Sequence, residues 1–443
     1  MRRLALLGLA LLLLIPAAFA QPVTTNDPDE DVFDRFLSDP RDAEGVSQTP
    51  VMDMESDDNG RLLIAYGVVD AADSTARVEV VVRLKNMTWV KLATMSIDPP
   101  AGYGAGTIVK AVSVAVVNKV GGVDDNNFGF VTAVFEQNGT DWITYHSGPI
   151  KTAWKNLKPS DLVLTGVAKK AVTDPTFVNP SIAVIPTAPS NFSKYIVAIA
   201  CAMPGPTASD SAIKLIWMDF FSPNYFGPEL YTVAGPGSTL MTGKYGRPSL
   251  AVDPVNAYWG VAFDNLTDPR VHVVSGKPGD QPNNMMKVWQ TGPADHHPTL
   301  RGSKGDMSLV TLGAKGDGNY WVMKGYYGFL YVANSYTSIG DLDDNCRTPA
   351  DIDMKGNDVF VAASCFDDSG AKYRITTIEF KRTVGSFQYV RLEDYPSFST
   401  RQPRMAVAPA GAGIEYYAVG FANDQQFSVP GGVSGARSVM LDR

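Results

Sequence analysis

The chain has 443 residues, of which 45% are hydrophobic and 19% are charged. Its 46 acidic and 38 basic residues give a formal net charge of −8, which excludes a nucleic-acid-binding protein, since such proteins need basic patches to neutralise phosphate. The 40 glycines and 30 prolines predict tight turns between many short strands, because both residues interrupt regular structure.

The first twenty residues have the pattern of a signal peptide. Arg2 and Arg3 precede an apolar run at 4–20 that is too short for a durable membrane span. The sequence Ala-Phe-Ala at 18–20 is a small-x-small cleavage site, so we predict cleavage after Ala20. We therefore expect a secreted or periplasmic protein, and no later apolar stretch is long enough to cross a bilayer.

A phrase with a proline followed by small and apolar residues returns through the rest of the chain. Its clearest copies are Pro-Ser-Ile-Ala-Val at 180–184, Pro-Ser-Leu-Ala-Val at 248–252 and Pro-Arg-Met-Ala-Val at 403–407. Looser copies lie at 49–54, 111–116, 297–301 and 348–353, and each copy is followed by a turn and a second apolar run. These units are roughly 50 to 70 residues long, the size of a four-stranded propeller blade.

We predict an all-β protein folded as a β-propeller of four-stranded antiparallel blades. Seven blades are expected, with six or eight as alternatives, because the unit that contains 111–116 lacks the proline. Strands that are apolar on both faces fit blades that are covered by neighbours on both sides, whereas a pair of β-sandwiches would not need a repeated phrase. Each proline is expected at the first residue of a strand, where its missing N–H costs least.

The domain boundaries follow from the repeat. Residues 46–443 are predicted to form the single propeller domain. Residues 21–45 are acidic and weakly patterned, so we expect either an acidic N-terminal tail or a strand that closes the last blade.

Two phrases resemble the repeat of sialidase-like propellers. They are Arg-Pro-Ser-Leu-Ala-Val-Asp-Pro at 247–254 and Tyr-Trp-Gly-Val-Ala-Phe-Asp at 258–264. The resemblance implies a propeller fold, but the Asp box and the N-terminal Arg-Ile-Pro motif of that superfamily are absent, and its usual blade count is six. The segment most similar to an Asp box, residues 56–63, lies between a first and a second strand. We interpret it as an Asn-Gly hairpin turn.

In propellers of this type, ligands bind at the mouth of the central channel, where inner strands begin and second strands end. The candidate ligand-binding residues there are Asn179, Arg247, Asp264, His297, Arg347, Arg401 and Gln402. The arginines are the strongest indication of a ligand-binding site. A guanidinium binds a carboxylate through two parallel hydrogen bonds, as recognition of an acidic sugar requires. The alternative is that these residues are ordinary polar loop residues.

Three functions fit these observations. The leading hypothesis is a non-catalytic module that binds a glycan or a protein at the channel mouth. The first alternative is a divergent sialidase-like glycoside hydrolase, with Asp264 or Glu136 as the acid, and the second is a structural cell-surface module. Motifs for phosphoryl transfer, common serine hydrolysis and zinc proteolysis are absent, and no cofactor is expected beyond the calcium considered next.

One segment has the composition of a structural calcium site. Asp341, Asp343 and Asn345 offer the hard oxygen ligands that Ca²⁺ prefers. The glycine and the closing glutamate of an EF-hand loop are missing, and a solvated loop is the alternative.

Two of the three cysteines are expected to pair. Cys346 and Cys365 flank a hairpin whose turn is near Lys355 and Gly356. A two-residue turn there places them opposite each other, so we predict a cross-strand disulfide that stabilises the fold by about 2–4 kcal/mol. Cys201 has no such partner and is expected to be buried and unreactive.

Overall fold

The computed structural model describes most of the predicted propeller domain and a short segment before it. The described residues are 33–36, 52–69, 76–85, 88–96, 108–137, 140–154, 171–172, 180–186, 195–204, 211–219, 229–235, 238, 240, 243–253, 257–277, 287–303, 306–314, 321–328, 337–346, 350–356, 358–366, 373–383, 386–396, 403–410, 413–423 and 436–442. The expected signal peptide at 1–20 lies outside these residues, so its cleavage and the export of the protein stay predictions.

Short β-strands make up nearly all the regular structure of the described residues, as the composition predicts. In chain order they are β1 (Phe33–Phe36), β2 (Met52–Ser56), β3 (Leu62–Val69), β4 (Ala76–Arg83), β5 (Trp89–Ser96), β6 (Ile108–Val117), β7 (Phe128–Gln137), β8 (Thr140–Pro149), β9 (Ala171–Val172), β10 (Ser181–Pro186), β11 (Tyr195–Pro204), β12 (Ser211–Asp219), β13 (Glu229–Ala234), β14 (Tyr245–Asp253), β15 (Tyr258–Asn265), β16 (Arg270–Gly276), β17 (Lys287–Gln290), β18 (Asp295–Ser303), β19 (Asp306–Ala314), β20 (Trp321–Gly328), β21 (Thr337–Cys346), β22 (Asp351–Lys355), β23 (Asp358–Phe366), β24 (Tyr373–Thr383), β25 (Ser386–Pro396), β26 (Arg404–Ala410), β27 (Gly413–Asn423) and β28 (Ala436–Asp442). A three-residue 3₁₀ helix, Val120–Gly122, lies between β6 and β7. Across the described ranges, no helix is long and apolar enough to span a membrane.

These strands form small antiparallel sheets in which consecutive strands pair. Five sheets have four strands each, namely β2–β5, β6–β9, β10–β13, β14–β17, and β26–β28 together with β1. The sixth sheet has eight strands, β18–β25. The all-β propeller is thus confirmed, but the seven blades expected first are not, since the described strands form six sheets, which is one of the two alternative blade numbers.

The sheet count falls because two consecutive units of the repeat share one sheet. Strand β22 is shorter than β23 and pairs only with residues 358–362 of it. The uncovered end of β23 meets the end of β21, where Cys346 lies opposite Cys365. This single residue pair joins the unit β18–β21 to the unit β22–β25, and it confirms that the two cysteines face each other.

The last sheet is completed from the other end of the chain. Strand β1 pairs antiparallel with β28, and Phe33 lies opposite Leu441. Of the two expectations for residues 21–45, the structure therefore shows a closing strand, at 33–36.

The sheets are arranged in a ring around their first strands, which we call the inner strands. Each inner strand contacts the next in the order β2, β6, β10, β14, β18, β22 and β26, and β26 contacts β2 again. Hydrophobic clusters fill the spaces between consecutive units: Leu63 and Val131 belong to one between the first two units, and Met52 and Ala406 belong to one between the last and the first. Because neighbouring units cover both faces of a sheet, its strands are apolar on both faces.

The serine of the repeated phrase links neighbouring inner strands, a role that the sequence analysis missed. Ser181 Oγ accepts a hydrogen bond of 2.9 Å from the backbone N–H of Leu250. Ser249 Oγ accepts an equivalent bond, also 2.9 Å, from the backbone N–H of Leu300. In the first unit, Asp53 takes the place of the serine. These bonds stabilise the ring because a buried N–H without a partner costs about 1–3 kcal/mol.

Two prolines of the repeat lie inside strands, which corrects the expectation that they begin them. The pairing of β14 with β15 shifts by one residue between Gly246 and Ser249, so that Arg247 and Pro248 form a β-bulge. Pro298 lies at the equivalent shift in β18. A bulge leaves a residue outside the hydrogen-bond ladder, so the missing N–H of proline is tolerated there as well.

Close packing at Gly148 gives a first testable prediction. The indole of Trp154, which is 6% exposed, packs so closely on Gly148 that an added Cβ would lie 2.6 Å from its Cγ. We expect Gly148→Ala to lower the free energy of unfolding by about 1–3 kcal/mol, because the indole must move out of a packed site. Gly292→Ala is the control, since its added Cβ meets no atom within 4 Å. Urea unfolding followed by tryptophan fluorescence measures both, and equal midpoints would contradict the prediction.

Candidate functional site

Three of the seven predicted ligand-binding residues come together at one end of the ring. Arg247 Nη1 lies 3.0 Å from Asp264 Oδ2 and 3.2 Å from His297 Nε2. The backbone N–H of His297 donates a hydrogen bond of 2.8 Å to Asp264 Oδ1. We call Arg247, Asp264 and His297 the rim site. It joins the unit β14–β17 to the unit β18–β21.

The repeat explains why these side chains meet. Arg247 and His297 lie near the starts of inner strands β14 and β18, and Asp264 lies near the end of β15. Arg247 and His297 occupy the two bulges described above, with φ values of 50° and 52°. Left-handed backbone is uncommon outside glycine and is kept where the surrounding structure enforces it, often at functional sites.

Burial determines the charge states of the rim site. Asp264 is buried, and this burial raises its pKa to about 7 although the charge of Arg247 opposes the rise. Burial, followed by the charge of Arg247, lowers the pKa of His297 to about 3. The imidazole is therefore neutral at physiological pH, so its Nε2 accepts the hydrogen bond that Arg247 donates.

Arg247 is the member of the rim site that solvent reaches. Its side chain is 42% exposed, whereas that of Asp264 is 2% exposed. Among the described residues, its contacts with Asp264 and His297 both use Nη1. The N–H donors on Nε and Nη2 can therefore bind a ligand. A carboxylate matches this pair of donors, because its two oxygens accept two parallel hydrogen bonds.

A second charged pair adjoins the rim site. Lys324 Nζ lies 2.9 Å from Asp295 Oδ1, and the hydroxyl of Tyr326 donates a hydrogen bond of 2.6 Å to Asp295 Oδ2. Asp295 begins β18, two residues before His297. Lys324 could not be predicted from the repeat phrase and the turn after the second strand, because it lies in a third strand, β20.

The ring also encloses a group of charged residues that the sequence analysis missed. This channel cluster consists of Asp53, Glu55, Arg301, Asp351, Asp353 and Arg404, all on inner strands. Arg404 Nε lies 3.8 Å from Asp53 Oδ1, and Arg404 Nη1 lies 3.6 Å from Asp351 Oδ1. Arg301 in β18 interacts electrostatically with Asp53 and Glu55 in β2. Because β22 and β26 separate these strands along the ring, the interaction crosses its interior.

Four predicted ligand-binding residues lie outside the described residues. They are Asn179, Arg347, Arg401 and Gln402, so their position relative to the rim site stays a prediction. Glu136, the other candidate acid, lies in β7 opposite Ile108. It belongs to the second unit of the ring and not to either unit that forms the rim site.

The calcium candidates lie in a strand, which corrects the expected loop. Asp341, Asp343 and Asn345 belong to β21, where Asp341 lies opposite Lys324. An extended strand does not wrap around an ion as a loop does, because successive side chains point to opposite faces. No group of three acidic, histidine or cysteine residues in the described ranges could hold a metal. The side chains of Asp343 and Asn345 are outside those ranges, so calcium binding stays a prediction.

Cys346 and Cys365 lie opposite each other, but not across the predicted hairpin, because Cys346 ends β21 whereas the hairpin joins β22 to β23. Cys346 Sγ and Cys365 Sγ lie 2.6 Å apart in a buried environment, and both residues are free thiols in this structure. The disulfide between them therefore stays a prediction. Cys201 is fully buried, as expected.

No protein-family model and no curated protein matches the chain. Similar solved structures include the phage phi92 endosialidase, which is 10% identical over 94% of this chain and 69% of the other, with a TM-score of 0.48. The Kuenenia stuttgartiensis hydrazine synthase is 12% identical over 85% of this chain and 94% of the other, with a TM-score of 0.47. A Trypanosoma rangeli sialidase in complex with sialic acid is 7% identical over 92% of this chain, with a TM-score of 0.42, and this chain spans 58% of its length. Sialidases are thus among the solved structures that are similar to this chain.

Proposed function

We propose that this protein is an exported, ligand-binding β-propeller whose rim site binds an acidic group of a glycan or a protein. The observation that carries the proposal is the exposed guanidinium of Arg247, held in place by Asp264 and His297. An arginine that is already anchored loses little side-chain freedom on binding. Its charge-assisted hydrogen bonds to a ligand carboxylate therefore contribute strongly to affinity.

The position of the site supports this proposal. Inner strands begin at this end of the ring, and the rim site lies where two neighbouring units meet. The bulges with left-handed backbone at Arg247 and His297 fix where these two side chains leave the inner strands.

Replacing the arginine tests the proposal. We expect Arg247→Asn to weaken binding of acidic ligands roughly 10- to 100-fold, because a hydrogen bond to a charged group contributes about 1.5–3 kcal/mol. Asparagine is chosen because it tolerates the left-handed φ at this position. The measurement is retention of a panel of acidic glycans and acidic peptides, followed by titration calorimetry with those retained.

A matched control removes the same charge elsewhere. Lys277 follows β16 at the opposite end of the same sheet and is exposed, so Lys277→Asn should leave binding unchanged. If neither Arg247→Asn nor Asp264→Asn alters the binding of any retained ligand, the rim site is not the binding site.

One observation favours glycoside hydrolysis as a second candidate function. Asp264 has a pKa of about 7 beside an arginine, which suits a carboxylic acid that protonates a leaving group. A hydrolase also needs a second carboxyl group about 5–10 Å away, and Asp295 lies two residues before the amide that Asp264 binds. Mass spectrometry of the same glycan panel distinguishes the two functions, because cleaved products indicate a hydrolase and intact retained glycans indicate a binding module.

A further inference from the structure

Lys324 is held at the rim by contacts that keep its ammonium in one place. Its Nζ pairs with the fully buried carboxylate of Asp295, which Tyr326 also binds. A Cβ on Gly313 would lie 2.6 Å from Lys324 Nζ, so the absence of a side chain at this position makes room for the ammonium. The side chain of Lys324 nevertheless stays 31% exposed. Lys324 therefore resembles Arg247, because each is a partly exposed cation that pairs with a buried aspartate.

The two cations lie near the same pair of histidines. Arg247 contacts His297, and the rings of His296 and His297 have centroids 6.1 Å apart. Burial, then the charge of Arg247, lowers the pKa of His296, and the charge of Lys324 lowers it further. Both cations are therefore close enough to act on the same imidazole. Asp295 and His297, which anchor the two cations, are only two residues apart in β18.

An aromatic side chain borders the same place. Trp289 is partly exposed, and its ring lies 5.3 Å from that of Tyr326 in an edge-to-face arrangement. Tyr326 in turn binds the aspartate that holds Lys324. Part of Trp289 packs against the hydrophobic cluster that includes Val273 and Leu309. The part that stays exposed offers an apolar surface near an anchored cation, which suits a sugar that carries acidic groups.

We propose that Arg247 and Lys324 form a two-cation site for an acidic glycan that carries two negative groups on one or two neighbouring sugars, namely a sulfated uronic-acid glycan. Arg247 binds the carboxylate through its planar fork, and Lys324 binds the sulfate as a compact positive charge. The inference rests on the proposed binding function of the rim site and specifies its ligand.

The test compares two defined tetrasaccharides, chondroitin sulfate and unsulfated chondroitin, by titration calorimetry on the full chain. We expect the sulfated tetrasaccharide to bind about tenfold more tightly, since one more charge-assisted hydrogen bond contributes at least about 1.5 kcal/mol. Lys324→Met should remove this preference, because it weakens binding of the sulfated form more than binding of the unsulfated form. Arg247→Asn should weaken binding of both, and Lys277→Met should affect neither.

A second variant keeps the test valid if Lys324→Met fails to fold. Gly313→Ala retains the charge of Lys324 but displaces its flexible end, so it should also reduce the preference for sulfate. Equal affinity of the wild-type protein for both tetrasaccharides would overturn the two-cation site while leaving the proposed function intact. Binding of an acidic peptide in preference to both glycans would overturn it as well. If no glycan and no peptide binds to the wild-type protein in a way that depends on Arg247, the proposed function itself is refuted.

Discussion

Replacing Arg404 with methionine should lower the free energy of unfolding by about 3–5 kcal/mol, because it removes the only cation within 4 Å of two buried carboxylates among the described residues. Asp53 is 2% exposed and Asp351 is fully buried, and both lie within 4 Å of the Arg404 guanidinium. Each carboxylate also accepts a hydrogen bond from the backbone of the neighbouring inner strand. Loss of the arginine therefore affects three inner strands, and urea unfolding at neutral pH measures the effect.

Two further variants decide whether charge is the cause. Arg77→Met removes a guanidinium that is 33% exposed, and Lys91 still pairs with its partner Glu79, so a loss of no more than about 1 kcal/mol is expected. Adding Asp53→Asn and Asp351→Asn to Arg404→Met should recover part of the lost stability. If this triple variant is no more stable than Arg404→Met alone, the uncompensated charges are not responsible.

Replacing Glu55 with glutamine should make the protein more stable at pH 8 and have little effect below pH 5. Burial raises the pKa of Glu55 to about 8, with Asp353 and Asp53 adding to the rise and Arg301 opposing it. The folded protein therefore holds a proton on Glu55 more tightly than the unfolded chain does. The stability that this proton provides is complete below the ordinary pKa of 4.5 and is lost as the pH rises to about 8.

The size of this effect follows from the shift. Each unit of pKa difference corresponds to about 1.4 kcal/mol, so the wild-type protein should lose on the order of several kcal/mol through Glu55 as the pH rises. Denaturant unfolding of both proteins from pH 5 to pH 9 measures the difference. Asp268→Asn is the control, since the Asp268 carboxylate is 60% exposed, and its curve should run parallel to that of the wild type. Parallel curves for Glu55→Gln would show that Glu55 is not protonated in the folded state.

The repeat made the fold predictable because each copy of the phrase carries the same physical requirement. An apolar inner strand with a turn and a second apolar strand behind it cannot bury both faces unless neighbouring units cover them. That argument gave the propeller and placed Arg247, Asp264 and His297 at one end. It could not give the number of sheets, since the merger depends on β22 being shorter than β23 and on one residue pair between β21 and β23.

The charged residues were harder to predict than the strands. The pairs Asp53 and Glu55, and Asp351 and Asp353, each alternate along an inner strand, and this carboxylate-x-carboxylate pattern in an otherwise apolar strand was the available signal. The partners Arg301 and Arg404 come from two other strands. No spacing within one unit predicts such a meeting, because it depends on how the ring closes.

The pairing of β1 with β28 has a consequence for how the chain folds. The first strand of the described chain needs the last one as its partner, so the ring is completed only when almost the whole polypeptide is available. Pairing between such distant segments is intrinsically slow. Until it occurs, β28 presents an open edge to which another copy of the chain can add a strand. We therefore expect β1, which contributes only four residues to the finished sheet, to limit self-association by covering the edge of β28.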